Sequence, residues 1–335
     1  METVLRPYVE TFIRWSKDRP EVVVLSADLT NSCEVARWRD TYPERFFSMG
    51  MAEQNMMGFA SGLAREGFTP FIHTFAVFIY RRPYDQLVMS IAYPNLPVRL
   101  MAFLPGITTP GGVTHQAIED VALMRATPNM TILETGDATE VETVLDVAHA
   151  VKGPVYVRML RGEVPRLFRR EEPMVFNRAR VLCRGSDVVV ITAGITTEEA
   201  MRATSALEHK GVSITHLHVS TLKPFSDPSV LEAIRTARHG VITLENHTIV
   251  GGLGSAVAEL IADHGLGKKL VRLGLRDTYA HGASRQYLMR EYGLDALSLV
   301  RAVETLCGEP TGITEQDLAR VRLQAVHSQA KAEGL

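Results

Sequence analysis

Short runs of β-branched and apolar residues recur along the first half of the sequence: EVVVLS (21–26), FTPFIHTF (68–75), LPVRLMAFL (96–104), MTILET (130–135) and PVYVRML (154–160). A longer amphipathic stretch precedes or follows each of them. A strand that is apolar along its whole length has to be covered on both faces, and parallel strands need a crossover that supplies the cover. The alternation therefore predicts an α/β fold with a mainly parallel, doubly wound sheet. The pattern breaks at RGEVPRLFRREEPMVFNRAR (161–180), rich in charge and proline, and restarts at DVVVIT (187–192). It then continues through VSITHLHVS (212–220), GVITLENH (240–247) and KKLVRLGL (268–275), with helices expected near 197–210, 228–237, 252–264 and 313–330. Two consecutive doubly wound domains are expected, 1–165 and 185–335, joined by a linker over 166–184, which suits a chain of 335 residues with 46% apolar composition.

A formal charge of −2 with dispersed Lys and Arg gives no basic face for a polynucleotide, so no nucleic-acid partner is expected. Cys33, Cys183 and Cys307 fit neither a disulfide framework nor a CxxC metal site. The opening METVLRPYVETFIRW carries charges where a signal peptide needs an apolar core, and no segment is apolar over the 18 residues that span a bilayer. No membrane association and a cytoplasmic location are the resulting expectations.

The stretch GMAEQNM (50–56) sets Glu53 among Met49, Met51, Ala52, Met56, Met57 and Phe59, none of which is a cation. A turn at Gly50 should lead into the helix EQNMMGFASGLAREG, with the Glu53 carboxylate in its first turn. There it can serve the helix dipole, worth about 0.3–1 kcal/mol, or, kept among apolar side chains, share a proton with a heterocyclic nitrogen. Gly58 and Gly62 lie one turn apart on the same helix, a spacing that suits close packing at a subunit interface. GGLGS (251–255) has the form of a phosphate nest opening a helix, but reads more simply as glycines that let helix approach strand.

From GMAEQNMMGFASGLAREGFTPFIHTFAVFIYRRPYDQLVMSIAYPNLPVRL to THQAIEDVALMRATPNMTIL, the first half resembles the pyrimidine-binding domain of transketolases. The second half is similar to the transketolase C-terminal domain through DVVVITAGITTEEA, THLHVSTLKPF, ENHTIVGGLGSAVAELIADHG and RLGLRDTYAHGAS. No GDG motif, the mark of the family's pyrophosphate-binding domain, occurs here, and neither GVTHQ nor GGLGS carries metal ligands at suitable spacing. The resemblance thus implies the second subunit of a split transketolase. Thiamine diphosphate and Mg²⁺ would be shared with a pyrophosphate-domain partner in a heterotetramer with two copies of each chain, this chain also meeting its own copy.

The resemblance further implies that Glu53 hydrogen-bonds N1′ of the aminopyrimidine and that Phe75 and Phe78 stack on that ring. It places Asp28 beside the thiazolium and His115 at the substrate mouth. Ser32 and Arg161, with Arg81 and Arg6 as further candidates, would hold a substrate phosphate. Two departures stand out: Phe103 occupies a position where most transketolases carry a histidine near the donor carbonyl, and Gly111 one where an aspartate binds a substrate hydroxyl. Their loss implies a specialised sugar donor or acceptor rather than ordinary pentulose phosphate chemistry. The implied reaction moves a two-carbon ketol unit from a ketose to an aldehyde. The beta subunit of a 2-oxo acid dehydrogenase, a deoxyxylulose phosphate synthase-like enzyme and a non-catalytic scaffold or regulatory subunit are the alternatives. On the family pattern, the C-terminal domain lies away from the cofactor.

Overall fold

The computed structural model describes residues 2–321 and 323. In the first half, β1 (Thr3–Leu5) is followed by β2 (Val22–Ser26), β3 (Phe46–Ser48), β4 (Thr69–Phe75), β5 (Arg99–Phe103), β6 (Thr131–Glu134), β7 (Val155–Met159) and β8 (Glu163–Pro165). β2 to β7 form one parallel sheet in the order β6-β7-β5-β4-β2-β3, and β1 and β8 make a small antiparallel ribbon beside it. Every residue of β2, β4, β5, β6 and β7 is buried, as expected of strands with helices on both faces.

The second half carries β9 (Arg180–Cys183), β10 (Val188–Thr192), β11 (Ile214–His218), β12 (Thr221–Lys223), β13 (Gly240–Thr248) and β14 (Leu270–Leu275). Its sheet runs β14-β13-β10-β11-β9, parallel except for the antiparallel edge strand β9. Helices form at Thr196–Glu208, Pro228–Thr236 and Leu253–Asp263, close to expectation, and the last expected one starts at Glu315 and is described to Arg320; its remainder lies outside the described residues. Two further helices, Arg285–Glu291 and Ala296–Cys307, are set by Ser284 and Asp295, whose side chains cap their N-termini.

The seam between the halves is more than a linker. Segment 166–174 is laid along helix Ala138–Ala150: Asp137 accepts from the amides of Leu167 and Phe168, and Arg166 pairs with Glu142. Arg180–Cys183, at the end of the expected linker, is already strand β9. β12 crosses the other way, pairing antiparallel with β6 at the edge of the first sheet, while Lys223 Nζ donates to the carbonyls of Arg125 and Thr127.

Two buried polar clusters lock this seam. Arg158, on β7 and 1% exposed, donates to Asp120 (2.9 Å), Glu134 (2.6 Å) and the Asn246 carbonyl of the second half (2.9 Å). Glu140, fully buried, accepts from His218 (2.9 Å), Arg180 (3.1 Å) and Ser220 (2.5 Å). Burial works against the Glu140 charge, but His218, Arg180 and Ser220 outweigh it and hold the carboxyl down to about 2.

The GGLGS segment takes the plainer of its two readings. The first amides of helix Leu253–Asp263, those of Leu253 and Gly254, are taken by the Glu245 carboxylate at 2.6 and 2.9 Å, and a Cβ on Gly254 would stand 2.9 Å from Thr243 Oγ1 on β13. Burial raises Glu245 to about 7.

Replacing Arg158 with Leu leaves two buried carboxylates without their cation, so it should cost about 3–5 kcal/mol in urea unfolding. Because Glu245 binds its proton more tightly folded than unfolded, where a glutamate titrates near about 4.3, the native state holds the extra proton in the window between those values. Its contribution to stability therefore falls as pH rises from the unfolded value towards about 7. Glu245→Gln should flatten the Tm-against-pH curve over that interval; an unchanged slope would show that another group sets it.

Candidate active site

The residues singled out in the sequence converge on one edge of the first sheet. Asp28 and Ser32 follow β2, Glu53 follows β3, Phe78 follows β4, which ends at Phe75, and Arg161 follows β7. All lie at the carboxyl ends of parallel strands, the edge at which open α/β sheets bind ligands.

Glu53 begins helix Glu53–Arg65 after a turn in which Gly50 adopts φ +66. Ala52 provides no capping side chain, so the Glu53 carboxylate is the anion nearest this helix N-terminus. It is 3% exposed. The expectation of a setting without a cation is corrected here: Arg82, 29 residues on, donates from Nη1 to Oε1 at 2.6 Å. The Arg82 guanidinium also lies over the Phe78 ring, 4.0 Å from its centroid, and Gln54 Nε2 holds the Arg82 carbonyl at 3.2 Å. Glu53 Oε2 has no hydrogen-bond partner among the described residues.

Phe75 and Phe78 stack at 6.0 Å with 24° between planes, and the His115 ring meets both edge-on, at 6.1 and 5.4 Å. Thr114 Oγ1 is 2.9 Å from His115 Nδ1, and a Cβ at Gly111 would stand 3.0 Å from His115 Cβ. Gly111 thus leaves room for the imidazole.

On the other side of Phe75, the Arg161 guanidinium lies 5.7 Å from the ring centroid and donates to the Ser32 carbonyl at 2.5 Å. The Arg6 amide donates to Gly162 O at 2.7 Å, which brings the backbones carrying Arg6 and Arg161 side by side. Exposed Asp28 takes φ +61 just beyond β2.

Two named residues have other work. Arg81 makes a two-pronged pair with Glu119 (2.8 and 2.9 Å) and donates to the carbonyls of Val113 and Gln116, so its guanidinium clamps the loop around His115. Phe103 does not reach the cleft: it is fully buried, packed edge-on against Tyr8 (5.5 Å) and against His73 (6.0 Å). Burial holds His73 down to about 3, so its ring is neutral. With Nδ1 donating to Phe71 O, Nε2 accepts the Tyr8 hydroxyl at 2.6 Å. An apolar ring at 103 closes the core over that pair.

The sequence reading missed Arg82, although the doubled arginine of YRRPYDQ marks it. The second domain, expected to lie away from the cofactor, touches the His115 loop through its residues 277–284. Gln116 Nε2 donates to the His281 carbonyl (3.3 Å), and a Cβ on Gly112 would stand 3.3 Å from Gly282 N. Among the described residues, no three His, Cys, Asp or Glu side chains are grouped to hold a metal ion, and no helix is long and apolar enough to cross a membrane.

The arrangement offers a flat apolar floor, a buried carboxylate beside it and a flanking arginine and histidine. Arg82 demonstrates what fits: a planar N–H donor can lie on Phe78 and bond Glu53 at once. An aminopyrimidine ring is likewise planar, and its ring nitrogen can share a proton with a carboxyl.

Residues 7–166 match the family description "Transketolase, pyrimidine binding domain" and residues 177–299 match "Transketolase, C-terminal domain". A solved structure described as a split gene transketolase, inactive beta4 tetramer, matches with a TM-score of 0.82 at 38% identity, covering 90% of this chain and 97% of that one. A 6-deoxy-6-sulfo-D-fructose transketolase subunit from Clostridium sp. is 37% identical over 297 residues, 88% of this chain and 91% of that one. The 1-deoxy-D-xylulose-5-phosphate synthase 1 of Geobacter sulfurreducens is 32% identical over 300 residues, 88% of this chain but 46% of its own length. With its paired domains in the same order and a buried glutamate at the carboxyl edge of the first sheet, the chain belongs to the transketolase family.

Proposed function

We infer that this chain is the pyrimidine-side subunit of a split, thiamine-diphosphate-dependent ketol transferase that moves a two-carbon unit from an anionic ketose to an aldehyde. The observation that carries the reading is the buried Glu53 carboxylate, held where a planar donor lying on Phe78 reaches it. Thiamine diphosphate, when bound, supplies the carbon nucleophile for this chemistry. Glu53 would share a proton with the aminopyrimidine ring nitrogen, its protonated carboxyl donating to that nitrogen and its carboxylate accepting once the nitrogen carries the proton, an exchange that burial favours by excluding competing water. Phe75 and Phe78 would fix the plane of the ring, and Asp28 would sit beside the thiazolium. Mg²⁺ and the diphosphate would be held by the partner that brings the pyrophosphate-binding domain.

His115 would face the reacting carbons at the mouth, with the Gly111 turn giving its ring room. Arg161, Ser32 and Arg6 would receive the anionic end of the sugar, Arg161 being suited to it by its planar fork. Support for an anionic substrate comes from the sulfo-sugar named for one relative. Arg81, committed to Glu119, would contribute by holding the loop.

The assembly proposed is two copies of each chain. The relative described as an inactive beta4 tetramer supports self-association of this half without activity. In this chain, Cβ atoms at Gly58 and Gly62 would meet nothing within 4 Å, so that helix face is open to a second copy. A second reading, condensation driven by 2-oxo acid decarboxylation, draws on the synthase relative. It predicts CO₂ release from pyruvate, which ketol transfer does not.

Isothermal titration of thiamine diphosphate with Mg²⁺ should show tight binding only when this chain is mixed with a pyrophosphate-domain partner; no binding in either sample would sink the thiamine reading. In that complex Glu53→Gln should reduce turnover by about 10²-fold or more with assembly intact, whereas a scaffold subunit would show little change. Arg82 has to release Glu53 before the ring can bind. Since a half-exposed pair of this kind is worth at most about 1 kcal/mol, Arg82→Ala should tighten thiamine diphosphate by up to about fivefold; weaker binding would mean that the arginine helps to hold the cofactor.

A further inference from the structure

The loop that carries His115, residues 109–119, is braced within itself, the His115 amide donating to Gly112 O at 2.9 Å, and is also held from two other sides. Arg81 grips it from within the first domain. The opposite side meets the second domain. There Gly282 and Gly112 approach so closely that a Cβ on Gly282 would stand 2.8 Å from the Pro110 carbonyl, and a Cβ on Gly112, which takes φ +70, would stand 3.3 Å from the Gly282 nitrogen. Gln116, 1% exposed and next to His115, spans the gap with Nε2 reaching both Thr109 O (3.4 Å) and His281 O (3.3 Å). The second-domain loop is itself anchored. The His281 ring packs on Tyr287 (5.7 Å) and Tyr292 (6.1 Å), and its Nδ1 lies 3.1 Å from the Tyr292 hydroxyl at the end of helix Arg285–Glu291.

We propose that the Asp277–Ser284 loop of the second domain is a positioning element for His115, with the Gly282–Gly112 contact and the His281–Gln116 bond setting where the imidazole stands against Phe75 and Phe78. The contact is backbone on backbone. Side chains adjust by rotating, whereas two chains packed glycine to glycine transmit any shift directly. The loop Thr109–Glu119 is thus gripped between Arg81 and the second domain, and His115 projects from its middle. A substrate mouth built this way couples the placement of one reacting-side group to the second domain. The proposal rests on the reading of His115 as a substrate-facing residue, but its first test does not.

That test is the rate at which diethyl pyrocarbonate modifies His115 in the full-length chain, followed by peptide mass spectrometry with the exposed His209 as internal reference. Gly282→Ala introduces a methyl group that the Pro110 carbonyl has to move away from, and the His115 rate should change relative to His209. Tyr292→Phe, which removes only the hydroxyl beside His281, should shift it in the same direction by less. In the complex with the partner subunit, Gly282→Ala should raise the KM for the ketose by roughly tenfold with thiamine diphosphate affinity unchanged. An unchanged His115 rate in both variants would overturn the proposal. So would a fall in kcat, cofactor affinity and Tm together, because that is the signature of general domain loosening. If no variant or wild-type complex binds thiamine diphosphate, the functional reading fails while the His115 rate still decides the positioning role.

Discussion

Arg158 is the residue on which most of this architecture leans. It is a guanidinium buried on an interior strand of a parallel sheet, and a cation in such a place is tolerable only when its donors find good acceptors. Asp120, Glu134 and the carbonyl of Asn246 meet that demand, and each comes from a different element. Asp120 opens helix Asp120–Ala126 and directly follows Glu119, the partner of Arg81. The ion cluster therefore fixes the root of the loop that carries His115. Through Asn246 it ties that root to the second domain, so one desolvated charge joins the frame of the cleft to the seam that the Glu140 cluster and β12 also hold.

The cleft differs in kind from this core. Its groups are gathered from four strand ends, most of them at least partly open to solvent, and its one deeply buried charge, Glu53, is partnered by an arginine that is itself almost half exposed. A carboxylate held by a solvated partner is open to exchange, while Asp120 and Glu134, paired with a fully buried arginine, are not. The molecule thus holds two kinds of buried charge, told apart by the solvent access of their partners.

Much of this was legible in the sequence. Period and composition were enough for two α/β units, because fully buried strands leave unbroken apolar runs such as VVVL and VVVI. The placing of Glu53 in the first turn of its helix was also readable, from Gly50 and the apolar face that follows. Contacts made over long separations were not. Nothing near Glu53 in sequence announces Arg82, and TLK (221–223) has no feature that assigns it to the sheet of the other domain. Phe103 stood out because the resemblance puts a histidine at that position; its side chain packs against His73 and against Tyr8 of helix Pro7–Ser16, contacts that only the fold reveals. The approach of Gly282 to Gly112 lay hidden for the same reason: a glycine shows that something comes near, without showing what.

The strand exchange at β12 has a consequence for modularity. Two domains that merely touch can be recombined, lost or inherited separately, since each keeps its own surface. Here the first domain borrows its last strand from the second, so a fragment ending within 166–184 would present β6 as a bare hydrogen-bonding edge, the kind of surface through which chains aggregate. The borrowed strand makes the two halves a single folding unit in this chain.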